Sequence, residues 1–289
     1  MLVWSSPRAV PTRALLAALA GLALLGLAAL ALTPSGQAAA AAFLGQFRVQ
    51  RFAVVTYDPQ ALGRPYIDLT RLGTVETQPS GELRASRVAS LAEASARVGF
   101  AVRPPARLPA GASAAPTVQV SQPYTYRFTF DQEKARAYLA SIGERSFALP
   151  PKFHGATLTI TVPAAAVLQY QHADGTSALY VVQMRSPTVQ VAGNVTLAEL
   201  RDFLLSVPGL PRETVSQLRA IEDWTTTLPV PVPKGQAHWR EVQVQGAPGL
   251  IVADNTGLGG GVLWVRAGVL TALAGPLTER ELLETAASV

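Results

Sequence analysis

Three histidines, His154, His172 and His238, are the natural starting points for chemistry in this 289-residue chain, which has no cysteine. Without cysteine there is no disulfide framework, thiolate metal site, iron–sulfur cluster or thiol nucleophile. No two of the histidines have the spacing that sets both on one helix face, and His-Glu-x-x-His is missing. His172-Ala-Asp174 puts two metal-ligating side chains on one side of a strand end, but a polar turn explains the same residues. There is no Gly-x-Ser-x-Gly elbow to expose a serine nucleophile. Gly257-Leu-Gly-Gly-Gly261 has the glycine density of a phosphate cradle. No Lys-Ser/Thr follows it, and it leads into a strand pattern, whereas phosphate loops lead into helices. It reads as a hairpin. Asn194-Val-Thr196 matches a glycosylation acceptor, but it reads better as a helix entry with Thr196 as cap. Glu222 and Asp223 are adjacent, so on a helix they point about 100° apart, as a solvated face does. No catalytic, cofactor-binding or metal-ligating residue is assigned.

The aromatic residues carry more information. Tyr124, Tyr126, Phe128 and Phe130 alternate along one segment, and Trp239 and Trp264 fall on other strand patterns. One face of such a sheet could line an apolar groove for a lipid-like or peptide ligand. The plainer reading is a core face covered by neighbouring helices.

The elements that must position these residues follow from periodicity and punctuation. Apolar positions 47, 49, 52, 54 and 55 fit a strand, and residues 58–89 look loop-rich because Pro and Gly interrupt every pattern. Ser90 with Glu93, Thr196 with Glu199, and Thr278 with Glu281 have capping-box spacing and predict helix starts. Asp131 caps a further helix to about Ile142, and Pro211 to Trp224 reads as another. Alternation predicts strands over 117–130, 156–162, 167–171, 178–185 and 188–191. A meander follows over 239–245, 249–254, 261–266 and 269–274, with turns at Gly246–Pro248 and Asn255–Gly259. Pro229 to Pro233 breaks the pattern. Thr-Val-Gln-Val occurs at 117–120 and at 188–191, but beyond four residues the match fades. The strands alternate polar and apolar, where parallel strands are continuous apolar runs. The expected fold class is therefore α+β, an amino-terminal transmembrane helix followed by an antiparallel sheet packed with several short helices.

Composition sets the location. Hydrophobic residues make up 49% and charged residues 15%, below the roughly 25% of soluble chains. Residues 14–32 are nine Leu, eight Ala and two Gly. As a helix they span about 28 Å, close to the hydrocarbon core of a bilayer. Nine leucines favour insertion by about 3–5 kcal/mol. Arg8 and Arg13 precede the run and no charge follows until after Phe47, so the positive-inside rule places the bulk of the chain outside the cytoplasm. A signal peptide cleaved near Ala41 competes with a retained anchor, and both export the remainder. The divisions expected are a cytoplasmic tail (1–13), a transmembrane helix or signal sequence (14–32), a linker with an extended strand (33–89) and an extracytoplasmic α+β domain (90–289). With 24 Lys+Arg against 19 Asp+Glu, no basic patch for nucleic acid emerges.

The closing stretches, WREVQVQGAPGLIVAD and GGGVLWVRAGVLTALAGPLTERELLETAASV, resemble the carboxy-terminal domain of bacterial anti-sigma-factor-related membrane proteins, a domain of unknown function. Trp264, Gly268, Leu273, Gly275, Leu277, Glu281, Leu282, Leu283, Ala286 and Ser288 carry the likeness. Residues 90–111 (SLAEASARVGFAVRPPARLPAG) resemble a short helix and Pro-rich lead-in of the same proteins. The resemblance implies a membrane-tethered extracytoplasmic module of an envelope regulatory system, non-enzymatic, with the bilayer and an envelope protein or apolar ligand as partners. Anti-sigma factors grip their sigma factor with a cytoplasmic domain, often bearing a His/Cys zinc motif. Only 13 residues precede the helix here, without His or Cys, so a companion role or a stand-alone exported domain is expected. The alternative is a secreted or periplasmic carrier of a lipid-like ligand, released by signal cleavage.

Overall fold

The computed structural model describes residues 49–58, 69–80, 85–208, 211–224, 226–257 and 259–289. The expected membrane helix at 14–32 lies outside the described residues. Among the described residues, no helix is long and apolar enough to cross a membrane.

The described chain is mixed α+β. Its strands are β1 (Arg51–Tyr57), β2 (Gly73–Gln78), β3 (Ala85–Arg87), β4 (Thr117–Ser121), β5 (Tyr124–Phe130), β6 (Thr157–Val162), β7 (Ala165–Gln171), β8 (Ser177–Arg185), β9 (Thr188–Ala192), β10 (Thr227–Pro233), β11 (Ala237–Val244), β12 (Ala247–Asp254), β13 (Gly260–Arg266) and β14 (Val269–Gly275). Its α-helices are α1 (Leu91–Val98), α2 (Gln132–Ser141), α3 (Leu197–Ser206), α4 (Arg212–Arg219) and α5 (Glu279–Ala286).

The helices start where side chains satisfy the first free N–H groups. Thr196–Glu199 and Thr278–Glu281 form complete capping boxes on α3 and α5. Ser90 Oγ accepts from Glu93 N on α1, while Glu93 Oε2 reaches one residue further back, to Ala89 N. Asp131 accepts from the backbone of Glu133 and Lys134. Helix α4 is shorter than expected. Ala220 N still bonds Ser216 O, and Ile221 N bonds Leu218 O in the tight turn that ends it.

Three sheets replace the single expected one. An eight-stranded antiparallel sheet runs β11-β12-β13-β14-β8-β7-β4-β3, and a four-stranded antiparallel sheet runs β2-β5-β6-β9. The third is a parallel ribbon of β1 and β10. The segment 58–89, expected to be loop-rich, contributes β2 and β3 to the two larger sheets. The proline run does not break β10. Lys234 N donates to Tyr57 O, so even-numbered residues turn their backbone toward β1. Pro229, Pro231 and Pro233 face the other edge, where no N–H is needed.

Residues 157–206 and 239–288 share one plan at a constant offset of 82, four strands and then a capped helix. Thr196 and Thr278 cap, Glu199 and Glu281 close the boxes, and Ala192-Gly193 matches Ala274-Gly275. The two units differ at their connections. In the second, Gln245-Gly246 and Ala267-Gly268 have positive φ at both residues (53° and 76°, 51° and 75°), as mirror-image hairpin turns require. All four strands therefore stay in one sheet. In the first unit the connections are Pro163-Ala164 and Ser186-Pro187. Proline is held near φ −65° and cannot enter that turn. There β6 and β9 join the four-stranded sheet, and β7 and β8 the eight-stranded one.

The eight-stranded sheet is covered on both faces. Ala165, Met184 and Leu270 face a core filled by Phe128, Phe130, Leu158 and Ile160 of the small sheet and by Leu200 and Phe203 of α3. Leu168, Val181, Ile251 and Trp264 point the other way, under Ala94 and Val98 of α1 and Leu282 and Ala286 of α5. Val230 and Val232 of the ribbon close over Leu250.

Candidate functional site

The structure distributes the six aromatic residues. Tyr124, Tyr126, Phe128 and Phe130 lie together on β5. Tyr124 is buried, Tyr126 half-buried, and Phe128 and Phe130 belong to the core under α3. Trp264 is buried in the other core, beneath α5, where Gly249 opposite leaves it room. Trp239 lies on the outermost strand and is 45% exposed. The six do not line one surface.

The histidines are separate as well. His154 Nδ1 accepts from Gln132 N at the start of α2 (3.3 Å). His172 opens the β7–β8 turn, in which the Asp174 carboxylate takes both the side-chain and backbone donors of Thr176. Those bonds hold Asp174 below the usual carboxylate range. His238 Nε2 meets Glu279 Oε1 at 2.9 Å. Among the described residues, no three His, Cys, Asp or Glu side chains could share a metal ion. Across β7 and β8, Gln169 Nε2 donates to Ser177 Oγ and Tyr180 Oη, which also bond each other at 2.8 Å. These polar atoms satisfy one another, and they fix the register of the hairpin.

Among the sheet edges that no described strand covers, the longest belongs to β11. The Gln245-Gly246 turn makes Val244 and Ala247 a hydrogen-bonded pair, and Asn255 N donates to Gln236 O at the far end. Even-numbered residues of β11 therefore bond to β12. Odd-numbered residues (Ala237, Trp239, Glu241 and Gln243) turn their N–H and C=O groups outward, and no described strand meets them.

The side chains along this edge have two characters. Val242 and Val244 enter the core under α5. On the same face, Arg240 Nε donates to Glu279 Oε2 (2.9 Å), so Glu279 ties Arg240 and His238 to the first turn of α5. Burial disfavours the Glu279 charge, but the bonds from Arg240 and His238 outweigh it and lower its pKa. On the opposite face, Trp239, Glu241 and Gln243 stand in solvent. A groove of about 1240 Å³ runs from the carboxy-terminal half of β11 across the start of β12 to the β13–β14 turn. The described residues lining it include Val49 to Phe52, Arg240 to Val244, and Leu283 of α5.

Sequence reasoning singled out Trp239 but not the edge it stands on. The usable signal was a contrast: β10 carries proline at alternate positions, whereas β11 has no proline, lysine or glycine to protect an edge. Comparison with known protein families, with curated proteins and with solved structures finds no match.

Proposed function

We propose that this protein is a membrane-tethered interaction module of the cell envelope, acting outside the cytoplasm and without catalysis, in a regulatory system of the kind its closing segment resembles. The open edge of β11, with Trp239 beside it, carries the interaction reading. A strand that exposes four residues' worth of backbone donors and acceptors offers an edge for pairing, and where prolines close the β10 edge, β11 guards its own only with the charges of Arg240 and Glu241. The charge-free run 14–32 behind Arg8 and Arg13 supports the tether and the orientation.

Fractionation tests the location. Carbonate-washed membranes should retain the full chain, and alkaline phosphatase fused after Val289 should be active. A mature protein that starts near Ala41 and washes free would support the released carrier, and a cytosolic reporter would overturn export altogether.

A further inference from the structure

We infer that the outer edge of β11 binds an extended segment of another protein as an added antiparallel strand, with consecutive basic, acidic and aromatic residues set against Glu241, Arg240 and Trp239. This deepens the interaction-module reading by giving the partner a chemistry. It does not depend on where the chain resides.

The tandem plan of the fold leads to this surface. In the first unit, the strand corresponding to β11 is β6, which has antiparallel neighbours on both edges, β5 and β9. In the second unit β11 has β12 alone among the described strands. The free edge is regular, since β11 and β12 pair without a bulge from Ala237 to Val244. Nor is it capped, because no side chain of the described residues bonds the outward N–H and C=O groups of Ala237, Trp239, Glu241 or Gln243. Strand addition draws its affinity from such groups and its specificity from alternate side chains.

Charge and register together favour a foreign strand. A second copy of this chain could add its own β11 about a two-fold axis. Pairing centred on Arg240 sets arginine against arginine, and pairing centred on Glu241 sets glutamate against glutamate. Pairing centred on Trp239 sets Arg240 against His238. Like charges directly opposite one another destabilise a strand pair. Pairing centred on Val242 opposes no like charges, but it joins only residues 240–244 and leaves Trp239 against the Gln245 turn, so a foreign strand matches the edge better. Arg240 gives Nε and Nη2 to Glu279, leaving Nη1 for an acidic residue placed opposite it. Glu241 lies on the other face, so its basic partner is the preceding residue of the incoming strand. The residue following the acidic one then falls opposite Trp239, where an aromatic ring stacks on the exposed indole.

The test uses the full chain in detergent and a labelled heptapeptide, Thr-Val-Lys-Glu-Phe-Thr-Val, read by fluorescence anisotropy. Saturable binding is expected, about tenfold weaker for the charge-swapped peptide Thr-Val-Glu-Lys-Phe-Thr-Val. Glu241→Pro removes an outward N–H and leaves the bonds to β12 intact, so it should weaken binding by about tenfold or more without lowering the melting temperature. N-methylation of the peptide at Lys and Phe, whose N–H groups face β11, should abolish binding, whereas N-methylation at Glu should not. Absence of binding at about 1 mM peptide, equal binding of the swapped peptide, or indifference to Glu241→Pro overturns the proposal. So does a dimer dispersed by Glu241→Pro, which would give the edge to a second copy. None of these outcomes bears on the fractionation result, so the two readings fail separately.

Discussion

Phe203 and Trp239 are both large aromatic residues on amphipathic segments, yet their surroundings assign them opposite roles. Phe203 stacks on Phe153 at 4.1 Å between centroids and meets Phe130 edge-on at 5.1 Å. Phe203→Ala should cost about 3–5 kcal/mol in urea denaturation, because it leaves a cavity that its aromatic neighbours cannot fill. Trp239→Ala should cost less, about 1–2 kcal/mol, since nearly half of that side chain is already in water. A large loss at Trp239 would show that the indole holds the fold together instead of standing ready for a partner. The Glu199 carboxylate is a different kind of test. The Lys152 ammonium and the Thr196 N–H hold it well below its ordinary value of 4.5, at about 2. A depressed folded-state pKa adds stability that is complete above the unfolded-state value and disappears as pH falls through the folded one. The stability gap between the wild type and Glu199→Gln should therefore be constant near neutrality and close between about pH 4.5 and about pH 2. A carbon-13 titration of the carboxyl with an ordinary midpoint would refute the bond to Lys152.

At the scale of elements, the punctuation of the sequence was more legible than its repeats. All three Ser/Thr–Glu pairs start helices where their spacing predicts. The capping signal is local, so no distant contact can override it. Strand patterns at 156–162, 178–185 and 261–266 also appear within about two residues of the expected bounds. Proline misled because its effect depends on which edge of the strand it faces, and no single sequence carries that information. The Thr-Val-Gln-Val pair, whose match fades beyond four residues, has its copies in β4 and β9, in different sheets. The informative duplication, Ala-Gly-x-x-Thr-x-x-Glu-Leu at 192–200 and 274–282, is sparse, and it acquires meaning only once the strands are ordered. Within the second unit, Ala267 sits at φ 51°, a backbone that costs an ordinary L residue about 1–2 kcal/mol. Asparagine tolerates it, and Asn-Gly is the favoured pair for this turn. Ala267→Asn should raise stability by about 0.5–1 kcal/mol, or about 1–4 °C in a melting experiment. An unchanged or lower melting temperature would show that the turn is not of the mirror-image type.

Across the whole molecule, the two units are welded and do not stand side by side. Strand β14 of the second pairs with β8 of the first from Val269–Arg185 to Ala274–Tyr180, so the large sheet is shared. Leu270 of the second unit fills the core built around Phe128 of the first. The ribbon joins Arg51–Tyr57 to Thr227–Pro233, and thus β1 has no partner until the chain has passed the first unit. The aromatic groove expected from the sequence failed to assemble for this reason. Alternation shows that a residue lies on one face of a strand, but which face of which sheet depends on pairings made far along the chain. Removing either unit would bare a long edge of β8 or β14 and open the first core, so neither can unfold while the other stays native. Two tryptophans make this measurable: Trp224 is buried in the first core and Trp264 in the second. In each variant that keeps one of them and replaces the other tryptophans by Phe, the urea transition read by tryptophan fluorescence should share its midpoint and slope with the transition of the same variant read by circular dichroism. Separated midpoints would mean that the β8–β14 seam is weaker than either core, and the tandem units would then be independent domains joined at an edge.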